Sequence, residues 1–189
     1  DLDLQTTAEK MMADKRGAVV AIDPNNGDVL VMVSSPGFDQ NAFVGGISSK
    51  KWRVLINDPA NPLINKAIQG EYPPASTYKV VTAIAALEES HIDTHTTVFC
   101  PGFFKYSNRS YRCWHKQGHG SVKIIEALAQ SCDVYFYQVG DKVGVDTLAK
   151  YAMKCGLNKT TGIQLDNEKP GLIPTSSWKK ARFKEPWYH

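Results

Sequence analysis

The stretch YPPASTYKV at residues 72–80 constrains this chain more than any other. Proline fixes its own φ and pushes the residue before it toward extended backbone, so Pro73 and Pro74 stiffen the approach. An apolar helical spacing follows, with Val80, Val81, Ile84, Ala85 and Leu87 between Ser76 and about Glu89. A helix that apolar is expected to be buried. The fold is therefore expected to be built around a helix whose first turn carries Ser76 and, one turn on, Lys79. A serine hydroxyl is a weak nucleophile that needs a base beside it, and Lys79 is placed to be one. The positive end of the helix would favour an oxyanion at Ser76. The plain alternative is a serine N-cap followed by a surface lysine, since Ser-x-x-Lys arises by chance in many chains.

Around this point the chain reads as hairpin first, helices later. Residues 1–14 fit a helix with Leu4, Ala8, Met11 and Met12 near one face. GAVVAID (17–23) and GDVLVMVSS (27–35) are strand-like, and PNNG between them carries turn chemistry. Residues 36–75 are expected to be extended and loop-rich, and 95–120 irregular. SVKIIEALAQ (121–130) fits a short helix with Ser121 as N-cap. DVYFYQVGDKVG continues as a second helix after a break near Ser131. VDTLAKYAMKCG (145–156) fits a third, closed by Gly156, and the tail from 157 reads as loop. The aromatics of VYFYQ are expected in the core rather than on a stacking surface. This is an α+β pattern, helices packed on an antiparallel sheet that needs more strands than one hairpin.

A second serine supports the first. SCD (131–133) falls at the helix break, where Ser131 and Asp133 can point into one cleft. Ser-x-x-Lys followed by a Ser-x-Asn-like triplet is a known constellation of acyl-serine enzymes.

With these residues in view, the chain resembles the transpeptidase domain of class B penicillin-binding proteins, of the elongation-specific kind. The likeness covers nearly all of it: DLDLQ, GAVVAIDPNNGDVLVMVSSPGFD, NKAIQGEYPPASTYK, SCDVYFY and TGIQLDNEKPGLIP. The resemblance implies the penicillin-binding, serine β-lactamase-like fold. It implies a D,D-transpeptidase that crosslinks peptidoglycan stem peptides and is acylated by β-lactams. Ser76 would be the acylated nucleophile, Lys79 its base, Ser131 a proton relay and Asp133 a contact of substrate and of Lys79. Asp133 stands where many relatives have Asn, and Ala75 where the general family has Gly. The third family motif, Lys-Thr-Gly on an edge strand, is expected downstream; KTTG (159–162) sits in another family segment. Residues 1–189 would then be a partial domain, incomplete at its C-terminal end and impaired by itself. Implied partners are a membrane glycosyltransferase and elongation scaffold proteins. The implied location is the periplasmic face of the inner membrane, held by an upstream anchor. Rival functions are a β-lactamase or β-lactam sensor of the same fold, though no deacylating base stands out, and a non-catalytic zinc-stapled interaction module.

The four cysteines leave a choice open. Cys100, Cys113 and Cys132 with His119 make a closed Cys3His set for structural Zn2+ within 95–132. His115 is the competing ligand. A Cys100–Cys113 disulfide and buried free thiols are the alternatives. The resemblance to the elongation-type subgroup favours zinc. Cys155 reads as core, His91 and His95 as solvated. Net charge is +3 with scattered basic residues, which gives no nucleic-acid signature. No apolar run is long enough to span a bilayer.

Overall fold

The fold is that of a computed structural model, describing residues 1–187 and comprising two units. The first unit is Asp1–Glu71 with Gly162–Lys169. Helix α1 (Leu2–Met12) starts at Asp1, whose carboxylate accepts the Asp3 and Leu4 N–H groups. It lies along strand β2 through Gln5, whose amide both donates to Met32 O and accepts from Met32 N. The expected apolar face is therefore only partly used, and Met11 is 67% exposed. β1 (Gly17–Ile22) and β2 (Val29–Ser35) form the expected antiparallel hairpin, with a bulge at Ala21/Ile22.

Residues 36–75 are not all loop. They hold a 3-10 turn (Gln40–Phe43), α2 (Ser49–Asn57) and α3 (Lys66–Gln69). Trp52, Leu55 and Ile56 of α2 stand at i, i+3 and i+4, a short helical stripe, though no residue of the helix is buried. A second readable signal was Ser48, whose hydroxyl caps Lys51 N.

The second unit runs over Tyr72–Thr161 and from Pro170 onward. Its core is α4 (Tyr78–Glu88) packed against α6 (Asp133–Val143) and α7 (Val145–Lys154). The buried residues of α4 are Val81, Thr82, Ala83, Ala85 and Ala86, while Val80, Ile84 and Leu87 are 54%, 38% and 37% exposed. Of the expected set Val81 and Ala85 are buried and the other three are not; with Ala83 and Ala86, these small side chains let the three helices approach.

The 95–132 segment, expected to be irregular, contains four strands. β3 (Val98–Cys100) pairs with β6 (Gly120–Val122), and β4 (Phe103–Tyr106) with β5 (Arg109–Arg112). Three- and four-residue strands fall below what alternation can reveal. Ser121 lies in β6 and caps nothing. α5 (Ile124–Ala129) begins instead after Lys123, whose N–H donates to the Glu126 carboxylate at 2.6 Å. The tail also contains α8 (Ser176–Phe183), capped by Thr175 on Trp178 N. Gly156 ends α7 with φ +89°, as expected. Cys155 beside it is exposed, not core. In place of one sheet, the described residues form three separate two-stranded sheets. Among them no helix is long and apolar enough to cross a membrane.

The end of α4 is tied to α7 by Glu89, which accepts from Lys150 Nζ at 2.8 Å and from Tyr151 OH at 3.0 Å. These two hydrogen bonds hold the Glu89 carboxyl below its ordinary 4.5. A depressed folded value means that the contribution is present above pH 4.5 and lost as pH falls through the folded value. Glu89→Gln is expected to flatten the acid side of the melting-temperature profile while lowering stability at pH 7. Thermal melts of both proteins between pH 7 and 3 check this; parallel profiles would refute it.

Candidate active site

Ser76 sits on a 3-10 turn (Ala75–Thr77) that leads straight into α4. The turn is reached through Ala75, which holds φ +49°, and Thr77 Oγ1 donates to Pro74 O. A left-handed alanine lacks the freedom of glycine, and the two prolines before it restrict the alternatives. One turn on, Lys79 points inward, its side chain 12% exposed.

The second serine comes from the end of α5. Ser131 N donates to Leu128 O at 3.1 Å and Cys132 N to Ala127 O at 2.8 Å. This paired pattern is the Schellman helix stop, which places its pivotal residue in the left-handed region. Ser131 is that residue, with φ +51°. Glycine is the usual occupant; a serine there costs roughly 1–2 kcal/mol in backbone strain. Cys132 then caps α6, its Sγ accepting from Tyr135 N, and Asp133 opens the helix.

These elements bring the four expected residues together. Lys79 Nζ donates to Ser131 O at 2.9 Å, Ser131 Oγ at 3.0 Å and Asp133 Oδ1 at 2.6 Å. An ammonium has three hydrogens, and these acceptors use all of them. Ser131 Oγ lies 3.1 Å from Ser76 Oγ. The connection from Ser76 to Lys79 thus runs through Ser131, where the sequence suggested a direct meeting. Asp133, expected to contact substrate and Lys79, meets Lys79 and has both oxygens engaged within the protein. Oδ1 pairs with Lys79, and Oδ2 accepts from Trp114 N at 3.0 Å. Each oxygen keeps a second lone-pair direction for another donor.

Trp114 was not singled out from the sequence. Besides its backbone bond to Asp133, its indole Nε1 donates to Gln130 O at 2.9 Å. Nothing local in the sequence signals this, because the partners are 16 and 19 residues away.

Directly behind the SCD turn lie the remaining expected residues. One ligand atom each of Cys100, Cys113, His119 and Cys132 falls within 4.8 Å of the others. His119 Nδ1 is 3.7 Å from Cys100 Sγ and 3.5 Å from Cys113 Sγ. Tetrahedral zinc, with bonds of about 2.3 Å to sulfur and 2.0–2.1 Å to nitrogen, separates its ligand atoms by about 3.5–3.8 Å. The donor set therefore fits that ion. All four cysteines are free thiols, so the Cys100–Cys113 disulfide is not formed. His115 packs against His119 at a tilt, with ring centroids 5.0 Å apart, and stands outside the set. Burial, and then the His115 ring, push the His119 imidazole below its ordinary value, which favours the neutral, ligating form. Burial pushes the Cys132 thiol up to about 12.

The loop bearing these ligands is closed by glycine. Added Cβ atoms at Gly102 and Gly118 would lie 2.3 Å from Lys116 O and 2.2 Å from Cys100 O. Both have positive φ, so glycine alone lets the two backbones meet. Of the VYFYQ run, Val134, Tyr135 and Phe136 are buried as expected. Tyr137 instead lines a pocket of about 430 Å³ with Phe104, Tyr106 and Tyr111. His91 and His95 are exposed, as expected.

The family model of the penicillin-binding protein transpeptidase domain matches residues 17–185. The peptidoglycan D,D-transpeptidase MrdA of Escherichia coli K12 is 47% identical over 190 residues, covering 100% of this chain and 30% of that protein. The Helicobacter pylori penicillin-binding protein PBP2, solved in complex with MreC, has a TM-score of 0.94 at 39% identity. That match covers 100% of this chain and 36% of the solved one. The penicillin G acyl-enzyme of Mycobacterium tuberculosis penicillin-binding protein A has a TM-score of 0.70 at 31% identity, covering 86% and 40%. The chain thus spans about a third of the length of the relatives it matches.

Burial separates the thiols. Cys155 is expected to react with Ellman's reagent first and alone, since Cys100, Cys113 and Cys132 are 1%, 4% and 0% exposed. Absorbance at 412 nm should show one fast thiol, absent in Cys155→Ser. Several fast thiols in the folded protein would contradict the packing.

Proposed function

The chain belongs to the penicillin-binding protein transpeptidase family, and we propose that it carries the acyl-serine chemistry of a peptidoglycan D,D-transpeptidase. The observation that carries this reading is the continuous line of hydrogen bonds from Ser76 through Ser131 to Lys79. With Lys79 charged, its N–H groups donate and the Ser131 hydroxyl points at Ser76. Activation reverses both hydroxyls. A neutral amine fits the same three partners: two N–H groups remain on Ser131 O and Asp133 Oδ1, and the lone pair accepts from Ser131 Oγ. Ser76 can then pass its proton to Ser131 as Ser131 passes its own to Lys79. The Ser76 oxygen attacks the D-Ala–D-Ala carbonyl, and the returning proton leaves with D-alanine. The same relay run again takes the proton of an incoming stem-peptide amine and returns it to the departing Ser76 oxygen, as the acyl group moves from Ser76 to the amine. A β-lactam would enter the first half of this cycle and remain on Ser76. Asp133 holds Lys79 in place and offers its spare lone pairs to a substrate N–H.

The three cysteines and His119 would hold Zn2+ as a structural ion behind the SCD turn. It would brace the turn and supply nothing to the chemistry. The MreC complex of the Helicobacter pylori relative supports an elongation scaffold partner for this chain. A membrane glycosyltransferase partner and the periplasmic face of the inner membrane, with an upstream anchor, complete the reading.

Two experiments on the full-length protein test it. Intact mass after incubation with benzylpenicillin should show one penicilloyl adduct, lost in Ser76→Ala and slowed in Ser131→Ala by about 10²–10⁴-fold, the range of a general acid–base group. A folded protein that forms no adduct would sink the acylation chemistry and leave the zinc-stapled module, and a fast-decaying adduct would point to a hydrolase. Separately, metal analysis should find one zinc per chain, lost in Cys132→Ser and His119→Ala but kept in His115→Ala. Retention in Cys132→Ser would remove the assignment.

A further inference from the structure

Ser131 does two incompatible things. As the pivot of a helix stop it holds a conformation that suits glycine, yet the relay needs its hydroxyl. Its φ of +51° depends on how the peptide between residues 130 and 131 is turned. Rotating that peptide would bring Ser131 to negative φ and relieve the strain; the Ser131 Cα shifts as the peptide turns, and Oγ shifts with it out of its contacts with Ser76 and Lys79. Two bonds oppose the rotation: Ser131 N to Leu128 O at 3.1 Å, and Gln130 O from Trp114 Nε1 at 2.9 Å. The first belongs to the helix stop itself. The second comes from outside, and it satisfies a terminal helix carbonyl that the helix cannot pair.

We propose that Trp114 is a positioning residue for the proton relay, its indole N–H locking the Gln130–Ser131 peptide so that Ser131 Oγ stays between Ser76 and Lys79. The proposal rests on the acyl-serine reading above. Trp114 reaches both sides of the turn, through its indole to residue 130 and through its backbone N–H to Asp133 Oδ2. It is itself held between Cys113 and the rings of His115 and His119, with centroids 5.6 and 5.3 Å away. The Trp114 side chain is nonetheless 63% exposed, so packing is a poor reason for an indole at this position.

The test removes the N–H and keeps the ring. Trp114→Phe is one variant; replacement of Trp114 by β-(3-benzothienyl)alanine, which puts sulfur in place of the indole N–H, is an isosteric second. Stopped-flow acylation of the full-length protein by benzylpenicillin separates the dissociation constant of the encounter complex from the acylation rate constant. Both variants are expected to keep the dissociation constant and lose about ten- to hundred-fold in the acylation rate constant, the scale of a misplacement near 1 Å. Unchanged acylation with a lower melting temperature would make Trp114 a packing residue and overturn the proposal. So would a raised dissociation constant with an unchanged rate constant, which would make it a ligand contact. Absence of any adduct in the unaltered protein would instead sink the acyl-serine reading.

Discussion

The site is organised by one cation. Lys79 comes from α4 and its three acceptors from two residues of the α5–α6 connection. A largely buried ammonium is costly unless every hydrogen is paired. The arrangement therefore sets the distance between the two helices as well as the chemistry. α4 cannot slide along α6 without unpairing Lys79, and the small buried residues of α4 let the helices come close enough for the pairing.

The thiol–imidazole cluster is the other half of the same turn. Cys132 lies between Ser131 and Asp133, and Cys113 is adjacent to Trp114. Neighbouring residues on so sharp a turn face opposite ways, so the ligand set and the reactive set share a backbone without competing for space. The strands around the cluster are three or four residues long, and β4 and β5 contain no buried residue. An ion held by four side chains suits such a segment, because hydrophobic burial alone would leave it marginal.

The legible parts of the sequence were those with strong local chemistry. Ser76 and Lys79 were readable because one helical turn fixes their relation, and Ser131 and Asp133 because a helix break announced itself in SCD. The cluster was readable as a donor set with His119 ahead of its competitor His115, and the 113–119 loop places His119 in it and His115 outside. The missed features share a different cause. α2 has an apolar stripe of only three residues set in a Pro- and Gly-rich stretch, β3 to β6 are too short for alternation, and Cys155 has apolar neighbours in sequence but faces outward. Trp114 acts through backbone and indole bonds to distant residues, and no spacing rule encodes those. The alanines of α4 were under-read because large side chains dominate a hydrophobic pattern, whereas close helix packing is decided by small ones.

The β4–β5 hairpin leaves and rejoins the second unit at almost one point. Cys113 N donates to Gly102 O at 2.8 Å, and the backbones at 102 and 118 touch. Residues 103–112 therefore form a closed excursion whose anchorage does not pass through its tip at Ser107 and Asn108. Such a base leaves the tip replaceable. It can be rewritten by hand to carry a tag or a reporter, while Phe104 and Tyr111 stay packed on Tyr137 and the ligand loop below keeps its shape.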